Sequence, residues 1–220
     1  MPLDRPAPTH EPYGPLPVGG TVRPVVRWGT PVMHRRQAEV TAYDDGLRAL
    51  VADLVATMYA ADGVGLAACQ IGVDLRVFCF DCRDADGNRI VGVVCNPEVV
   101  LPEGRDRVLD EDDEGCLSLP GGYVPLARPD RATVHGTGVD GAPVTFSGEG
   151  MLARCLQHET DHTFGTVFGD RLSTRWRKKL QKAHEKVADR YPDDWPLSSI
   201  TECGSAGPSR STPPPSRPPR

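Results

Sequence analysis

Apolar residues recur at three- and four-residue intervals in the first third of the chain. Five of them would form one stripe of an amphipathic helix: Leu47, Leu50, Val51, Leu54 and Met58. Asp44 and Asp45 precede the stripe, where carboxylates accept hydrogen bonds from free backbone amides and suit the positive end of a helix dipole. The pattern therefore predicts a helix that begins at these aspartates and ends near residues 62–63.

Short runs rich in β-forming residues follow this helix, and turn residues separate them. The runs cover residues 75–80, 91–95, 98–101, 133–135 and 144–146. A second helical pattern covers residues 150–162, and a third, highly charged one covers residues 174–189. One helix, then strands, then helices predicts an α+β fold, with antiparallel sheets packed around a central helix and further N-terminal and C-terminal helices.

The two ends of the chain lack such periodicity. Residues 1–20 are rich in Pro and Gly, and residues 193–220 form a Pro/Ser-rich tract. This composition buries too little apolar area to offset the entropy lost on ordering the chain. The sequence therefore predicts a flexible extension over residues 1–20, a catalytic domain over residues 21–192 and a disordered tail over residues 193–220.

Charge and cysteine content narrow the class of protein. The net charge is -5 with acids and bases interspersed, which argues against a dedicated nucleic-acid binder. The sequence has neither a signal-peptide pattern nor an apolar run long enough for a membrane span. Its 7 cysteines lack the regular spacing of a secreted disulfide scaffold. We therefore expect a soluble, cytoplasmic protein with reduced thiols.

The central helix carries the pentapeptide His-Glu-Thr-Asp-His at residues 158–162. Histidines four residues apart project from the same helix face, so His158 and His162 can reach one ion. Glu159 lies close enough to approach a water on that ion without being a ligand, as a general base requires. The apolar turn before the motif indicates that this helix is buried, where unpaired polar groups are costly. The pattern favours a metal-dependent hydrolase over a solvated helix.

A hydrolytic site needs a third protein ligand, and the sequence offers two candidates. A third histidine six residues after His162 is excluded, because Phe168 stands there. Glu185 lies at the distance typical of a downstream glutamate ligand, but its helix is rich in Lys and Arg, and a solvated ion pair explains it better. Cys116 follows Gly115 at a constrained turn or strand end, and its thiolate would bind a divalent metal strongly.

Three segments resemble signatures of bacterial-type peptide deformylases, in the order of that family. They are Gly-Val-Gly-Leu-Ala-Ala-Cys-Gln at residues 63–70, Glu-Gly-Cys-Leu-Ser at residues 114–118 and Gln-His-Glu-Thr-Asp-His at residues 157–162. The similarity extends from about residue 25 to about residue 191. The resemblance implies a hydrolase that removes the N-formyl group from the initiator methionine of nascent polypeptides and releases formate.

The resemblance also implies roles for individual residues. Cys116, His158 and His162 would ligate the ion, and Glu159 would shuttle the proton. The Gln70 side-chain amide and the Leu117 backbone N–H would stabilise the oxyanion. Several residues would contact the peptide or its methionine side chain: Val64, Gly65, Gly115, Met151 and Cys155. Arg128 would support the site through hydrogen bonds to Glu159 or a neighbouring carboxylate.

The implied cofactor is one divalent ion per chain, with Fe²⁺ expected and Zn²⁺, Ni²⁺ or Co²⁺ as alternatives. The implied partners are N-formylmethionyl nascent peptides and, through the charged C-terminal helix, the ribosome near the exit tunnel. Two departures from the family pattern stand out. Thr163 replaces a common leucine, and residues 121–123 (Gly-Gly-Tyr) replace a charged, substrate-contacting segment of some members.

Two other functions remain open at this point. A zinc peptidase would use the same helix with Glu185 as third ligand. A catalytically inactive binding module would keep the fold at the ribosome without turnover.

Overall fold

The computed structural model describes residues 16–198, and two antiparallel sheets and three α-helices account for most of them. The helices are α1 (Asp45–Ala60), α2 (Gly150–Thr163) and α3 (Thr174–Glu185). The strands are β1 (Gly65–Ala67), β2 (Val77–Arg83), β3 (Arg89–Val100), β4 (Leu109–Gly115), β5 (Tyr123–Pro129), β6 (Arg131–Thr137) and β7 (Pro143–Glu149). The larger sheet has the order β1-β2-β3-β6-β7, and β4 pairs with β5 separately. The predicted α+β class is confirmed.

The large sheet is covered on both faces, as the alternation of side chains along β2 shows. Val77 and Cys79 belong to an apolar cluster shared with α1. Phe78 and Phe80 belong to a second cluster, which includes side chains of α2. Successive side chains of a strand point to opposite faces, so the sheet separates the two helices. This arrangement places α2 between the large sheet and the β4-β5 pair.

Helix α1 begins and ends where the sequence predicts. The Asp44 side chain accepts a hydrogen bond from the Leu47 backbone N–H at 3.0 Å, which satisfies one of the free amides of the first turn. The helix ends at Ala60, and Asp62 follows with φ of 52°. The apolar stripe faces the sheet, with Val51, Leu54 and Met58 fully buried.

The strands differ from the sequence prediction in two places. Residues 91–95 and 98–101, predicted as separate strands, lie in the single strand β3, which changes register between Cys95 and Glu98. Asn96 adopts φ of 52° at this bulge, and its side chain bonds the Val40 backbone in both directions. Strands β1, β4 and β5 were not predicted.

The third helix is shorter than predicted. It begins at Thr174 as expected, with the Ser173 hydroxyl accepting from the Trp176 N–H, but it ends at Glu185 instead of residue 189. A short 3-10 helix, Ala188–Arg190, follows it. No helix within residues 16–198 combines the length and apolar content that crossing a bilayer requires.

A few residues of the predicted flexible ends lie within the described part of the chain and make contacts there. Leu16 packs in the α1 cluster and is 9% exposed. Trp195 is buried against Val25 and Ala61, and its carbonyl accepts a hydrogen bond from the Val25 N–H. Apolar contacts made far along the chain therefore hold these segments, which local composition does not reveal. Residues 1–15 and 199–220 of the predicted extension and tail lie outside the described residues.

Candidate metal centre

Helix α2 and the end of strand β4 bring three ligand-type side chains together. The donor atoms of Cys116, His158 and His162 all lie within 4.8 Å of one another. The two Nε2 atoms of the histidines are 3.1 Å apart, and Cys116 Sγ lies 3.4 Å from His162 Nε2. Cys116 directly follows the last residue of β4, as the sequence predicts for a strand end.

The chemistry of this donor set fits a divalent first-row metal. All three side chains are buried, and His162 is fully so. His158 Nδ1 lies 2.7 Å from a Glu114 carboxylate oxygen, which can only accept a hydrogen bond in its ionised form. This contact makes Nδ1 the donor and directs Nε2, with its lone pair, toward the other two groups. A thiolate and two imidazoles suit Fe²⁺, Zn²⁺, Ni²⁺ or Co²⁺.

Glu114 is the centre of a buried ion-pair network beside the ligands. Arg128 donates to both carboxylate oxygens of Glu114 at 2.7 Å, and Arg154 Nη1 donates to one of them at 3.0 Å. Burial alone would raise the pKa of Glu114, but hydrogen bonds from Arg128 and His158 outweigh it and hold that pKa well below its usual range. Glu114 therefore stays ionised.

The same network shifts the pKa values of the two histidines in opposite directions. Burial alone would lower the pKa of His158, but hydrogen bonds to Cys116 and Glu114 raise that pKa well above its usual value. Burial lowers the pKa of His162, and the nearby charge of His158 lowers it further. Without an ion these shifts favour the imidazolium form of His158 and the neutral form of His162, and a bound metal would take the place of the proton on His158 Nε2.

Glu159 lies beside the ligands without belonging to their set. Its side chain is 4% exposed, and its Oε2 atom is buried without a hydrogen-bond partner among the described residues. Burial raises the pKa of Glu159 to about 7, and the charge of His158 partly opposes that shift. A Cβ atom on Gly65 would lie 2.5 Å from Glu159 Oε1, so glycine leaves the space that this carboxylate occupies. Such a group suits proton transfer near neutral pH.

Gln70 is oriented toward the ligands by a backbone amide three residues earlier in the chain. Its Oε1 atom accepts a hydrogen bond from the Ala67 N–H at 2.9 Å. The Nε2 amide therefore faces the opposite way, 3.5 Å from Cys116 Sγ and 3.4 Å from Ser118 Oγ. The amide is positioned to donate to a group bound beside the cysteine.

A cavity of about 530 Å³ opens onto these side chains. Its walls include every residue that the sequence analysis assigns to catalysis and substrate contact: Val64, Gly65, Gln70, Gly115, Leu117, Met151, Cys155 and Glu159. Met151 is half exposed, whereas Cys155 is buried and donates to the Val64 carbonyl. Residues 121–123 also line the cavity.

The alternative third ligand is not part of the cluster. Glu185 is exposed at the end of α3, and the group that can hold an ion within residues 16–198 consists of Cys116 and the two histidines. Arg128 contacts Glu114 and, at 3.0 Å, Asp161, so of the two alternatives its partners are neighbouring carboxylates and not Glu159.

Two buried residues of the network were missed by the sequence analysis. Glu114 belongs to the quoted Glu-Gly-Cys-Leu-Ser segment, but no role was assigned to it, although its place two residues before Cys116 was a usable signal. Arg154 bonds Glu114 and the Leu126 carbonyl from α2. An arginine four residues before His158, on a helix predicted to be buried, was the only signal for it.

Comparisons with known proteins agree with this geometry. The sequence model described as polypeptide deformylase matches residues 22–178. Peptide deformylase 1 of Streptomyces avermitilis is 52% identical over 174 residues, which cover 79% of this chain and 80% of the relative. Peptide deformylase 2 of Streptomyces coelicolor is 52% identical over 163 residues, covering 74% and 89%. A crystal structure of a peptide deformylase from Legionella pneumophila superposes with a TM-score of 0.68 at 36% identity, covering 77% of this chain and 97% of that one.

Proposed function

This chain belongs to the polypeptide deformylase family, and from that premise we propose which residues carry out its hydrolysis. The enzyme removes the N-formyl group from the formyl-methionine of nascent polypeptides. Water adds to the formyl carbon, the carbon–nitrogen bond breaks, and formate and a free amino terminus leave. The observation that carries the assignment is the convergence of Cys116, His158 and His162 beside the buried carboxylate of Glu159.

In this proposal the three converging side chains hold one divalent ion. A bound ion would supply Lewis-acid activation of the water and of the formyl carbonyl. Fe²⁺ is the proposed physiological ion, and Zn²⁺, Ni²⁺ and Co²⁺ are the alternatives that the donor set accepts. Glu114 orients His158 through its Nδ1–H, and Arg128 holds Glu114 in place.

Glu159 moves the proton. As a carboxylate it accepts the proton of the attacking water, and it then delivers that proton to the departing amine nitrogen. Its raised pKa, about 7, suits both directions of transfer. The Gln70 amide and the Leu117 backbone N–H donate hydrogen bonds to the formyl oxygen as negative charge develops there, and one such donor contributes about 3 kcal/mol.

An extended peptide would form hydrogen bonds with the backbone N–H and C=O groups of Val64, Gly65 and Gly115. Met151 and Cys155 border the space for the methionine side chain, since both line the cavity next to the ligand helix. The proposal also includes a cytoplasmic location and docking of the charged helix α3 at the ribosome. Its basic residues Arg175, Lys178 and Lys182 are exposed, which leaves them available for a partner.

The test is formate release from formyl-Met-Ala-Ser by protein loaded anaerobically with Fe²⁺ or Ni²⁺. We expect turnover by the parent and at least about a 10³-fold loss in Glu159→Ala with its metal content unchanged. Glu159→Ala activity within a few-fold of the parent would rule out the proton-transfer role. Absence of any turnover by the metal-loaded parent would contradict the proposed activity itself.

A metal measurement separates the two candidate ligand sets. Cys116→Ala is expected to lose bound metal, because two imidazoles alone hold a divalent ion weakly. Glu185→Ala is the matched control and should retain the parent's metal content. The reverse result would favour the peptidase arrangement.

A further inference from the structure

Residues near the C-terminus help to build part of the cavity wall. Tyr191 and Trp195 line the cavity together with Ala61 and Gly121. Both aromatic residues lie beyond residue 178, where the family match ends. The resemblance implied no role for either residue, and the structure brings both to the cavity.

The two aromatic rings belong to a compact apolar cluster next to a proposed oxyanion donor. Trp195 is buried with Val25 and Ala61, and partly buried Leu117 and Tyr191 pack against these three. The rings of Tyr191 and Trp195 meet edge to face, with centroids 5.2 Å apart and planes at 87°. This geometry is the favourable one for aromatic pairs, so each ring fixes the other.

The segment that carries the two rings, residues 191–195, is held to the domain by residues in the N-terminal part of the chain. Arg27 Nη2 donates to the carbonyls of Tyr191 and Pro192 at 2.6 and 2.9 Å. The Arg27 guanidinium also lies 5.8 Å from the centre of the Trp195 ring. Several long-range contacts thus fix the position of Tyr191 at the cavity.

Gly121 allows the aromatic segment to approach. A Cβ atom on this residue would come within 2.4 Å of Val187 Cγ2 and 3.4 Å of Tyr191 Cε2. Gly121 also has φ of 75°, which disfavours any side chain. Gly121, in the Gly-Gly-Tyr segment where some relatives have charged residues, therefore makes room for the apolar wall that Tyr191 contributes to the cavity.

The reaction fixes one point of a bound peptide. The formyl carbon must lie by Glu159 and Gln70, so the residues after the methionine must occupy other parts of the cavity. A cavity of about 530 Å³ is in the range that encloses a ligand larger than one amino acid. Leu117 links the site to the aromatic wall, because it follows the ligand Cys116, lines the cavity and packs in the Tyr191 cluster.

We propose that Tyr191, supported by Trp195, forms a subsite for apolar side chains that follow formyl-methionine in the peptide. The inference rests on the proposed function and adds a specificity determinant to it. The physical basis is burial of apolar area. Contact between the aromatic wall and an apolar side chain stabilises the bound peptide, whereas a substrate that ends at the methionine makes no such contact.

The experiment compares kcat/KM for formyl-Met-Leu-Phe, formyl-Met-Ala-Ser and formyl-methionine amide. We expect Tyr191→Ala to lower the value for formyl-Met-Leu-Phe about 10-fold, that for formyl-Met-Ala-Ser less, and that for formyl-methionine amide less than about 2-fold. Tyr191→Phe should behave as the parent. Tyr59→Ala is the matched control, since Tyr59 is exposed, bonds Asp81 and lies outside the cavity lining; it should leave all ratios unchanged.

A second variant keeps the test decisive if Tyr191→Ala folds poorly. Arg27→Gln removes the hydrogen bonds to Tyr191 and Pro192, and it should reproduce the substrate-dependent loss at about 3-fold. Equal losses on all three substrates, or none, in these variants would overturn the subsite. A parent without formate release would instead contradict the proposed function, so the two failures are distinguishable.

Discussion

Helices α1 and α2 cover opposite faces of the same sheet, and they are buried for different reasons. The buried residues of α1 are apolar except for Thr57. Most buried residues of α2 are polar or charged: Arg154, Gln157, His158, Glu159, Thr160, His162 and Thr163. Burying an apolar side chain is favourable wherever it happens, whereas a buried polar group needs a specific partner.

The partners of the polar residues on α2 come from distant parts of the chain. Gln157 donates to the Pro129 carbonyl, and His158 and Arg154 meet Glu114, which follows a run of exposed acids on β4. Helix α1 is therefore held mainly by buried apolar area, and α2 by particular polar contacts. Truncating a side chain on the α1 face should therefore lower only the free energy of unfolding, whereas removing a polar partner on the α2 face should lower both that free energy and the affinity for metal.

The largest expected effect is that of Glu114→Gln on the α2 face. The change removes the Glu114 carboxylate from the buried Arg128 and Arg154, although Arg128 keeps its contact with Asp161, and breaking a buried ion pair from one side costs about 4 to 5 kcal/mol. The free energy of unfolding in denaturant measures this cost. Metal affinity should also fall about 10- to 100-fold, because the neutral amide of glutamine is a weaker acceptor for the His158 Nδ1–H than the Glu114 carboxylate.

Glu111→Gln is the matched control for that prediction, since Glu111 lies on the same strand but is exposed. It should change both quantities little. If Glu114→Gln were as stable as the parent, the claim that specific contacts hold the α2 face would be wrong.

Leu54→Ala should have the next largest effect, on the α1 face. Leu54 is fully buried in the α1 cluster, and truncation leaves a cavity that costs about 3 to 4 kcal/mol of unfolding free energy. Metal affinity should stay at the parent's value, because no ligand contact changes. A loss of metal affinity comparable to that of Glu114→Gln would show that the two faces are not independent.

The smallest expected effect has the opposite sign and depends on pH. Burial raises the pKa of Glu159 from 4.5 to about 7 in the protein without an ion. The folded state therefore binds this proton more tightly than the unfolded state, and the stability that it contributes is lost as pH rises from about 4.5 through 7. Glu159→Gln removes the titration, so it should stabilise the metal-free protein by up to about 3 kcal/mol at pH 8 relative to its effect at pH 4.

Chemical denaturation of the metal-free parent and Glu159→Gln across that pH range provides the measurement. A stability difference that stayed constant with pH would mean that Glu159 titrates alike in the folded and unfolded states. That result would remove the physical argument for a carboxylate tuned to proton transfer.

Much of the fold could be predicted from local sequence patterns. The stripe from Leu47 to Met58 predicts α1, and the motif around His158 predicts the start and end of α2 within one residue. Strands β4 and β5 escaped prediction because their side chains do not alternate: β4 exposes a run of acids, and β5 is interrupted by prolines. What defines both strands is their pairing with each other, which no local window contains.

The candidate site also has one part that local sequence predicts and another that depends on tertiary contacts. The four-residue spacing of His158 and His162 is a property of any helix, so the sequence by itself determined that these two rings share a face. Only the tertiary structure decided that Cys116 joins them, that Glu114 bonds His158 from 44 residues away, and that Tyr191 reaches the cavity. The physical reason is range: helix geometry acts over a few residues, whereas burial pairs polar groups wherever the packed chain brings them together.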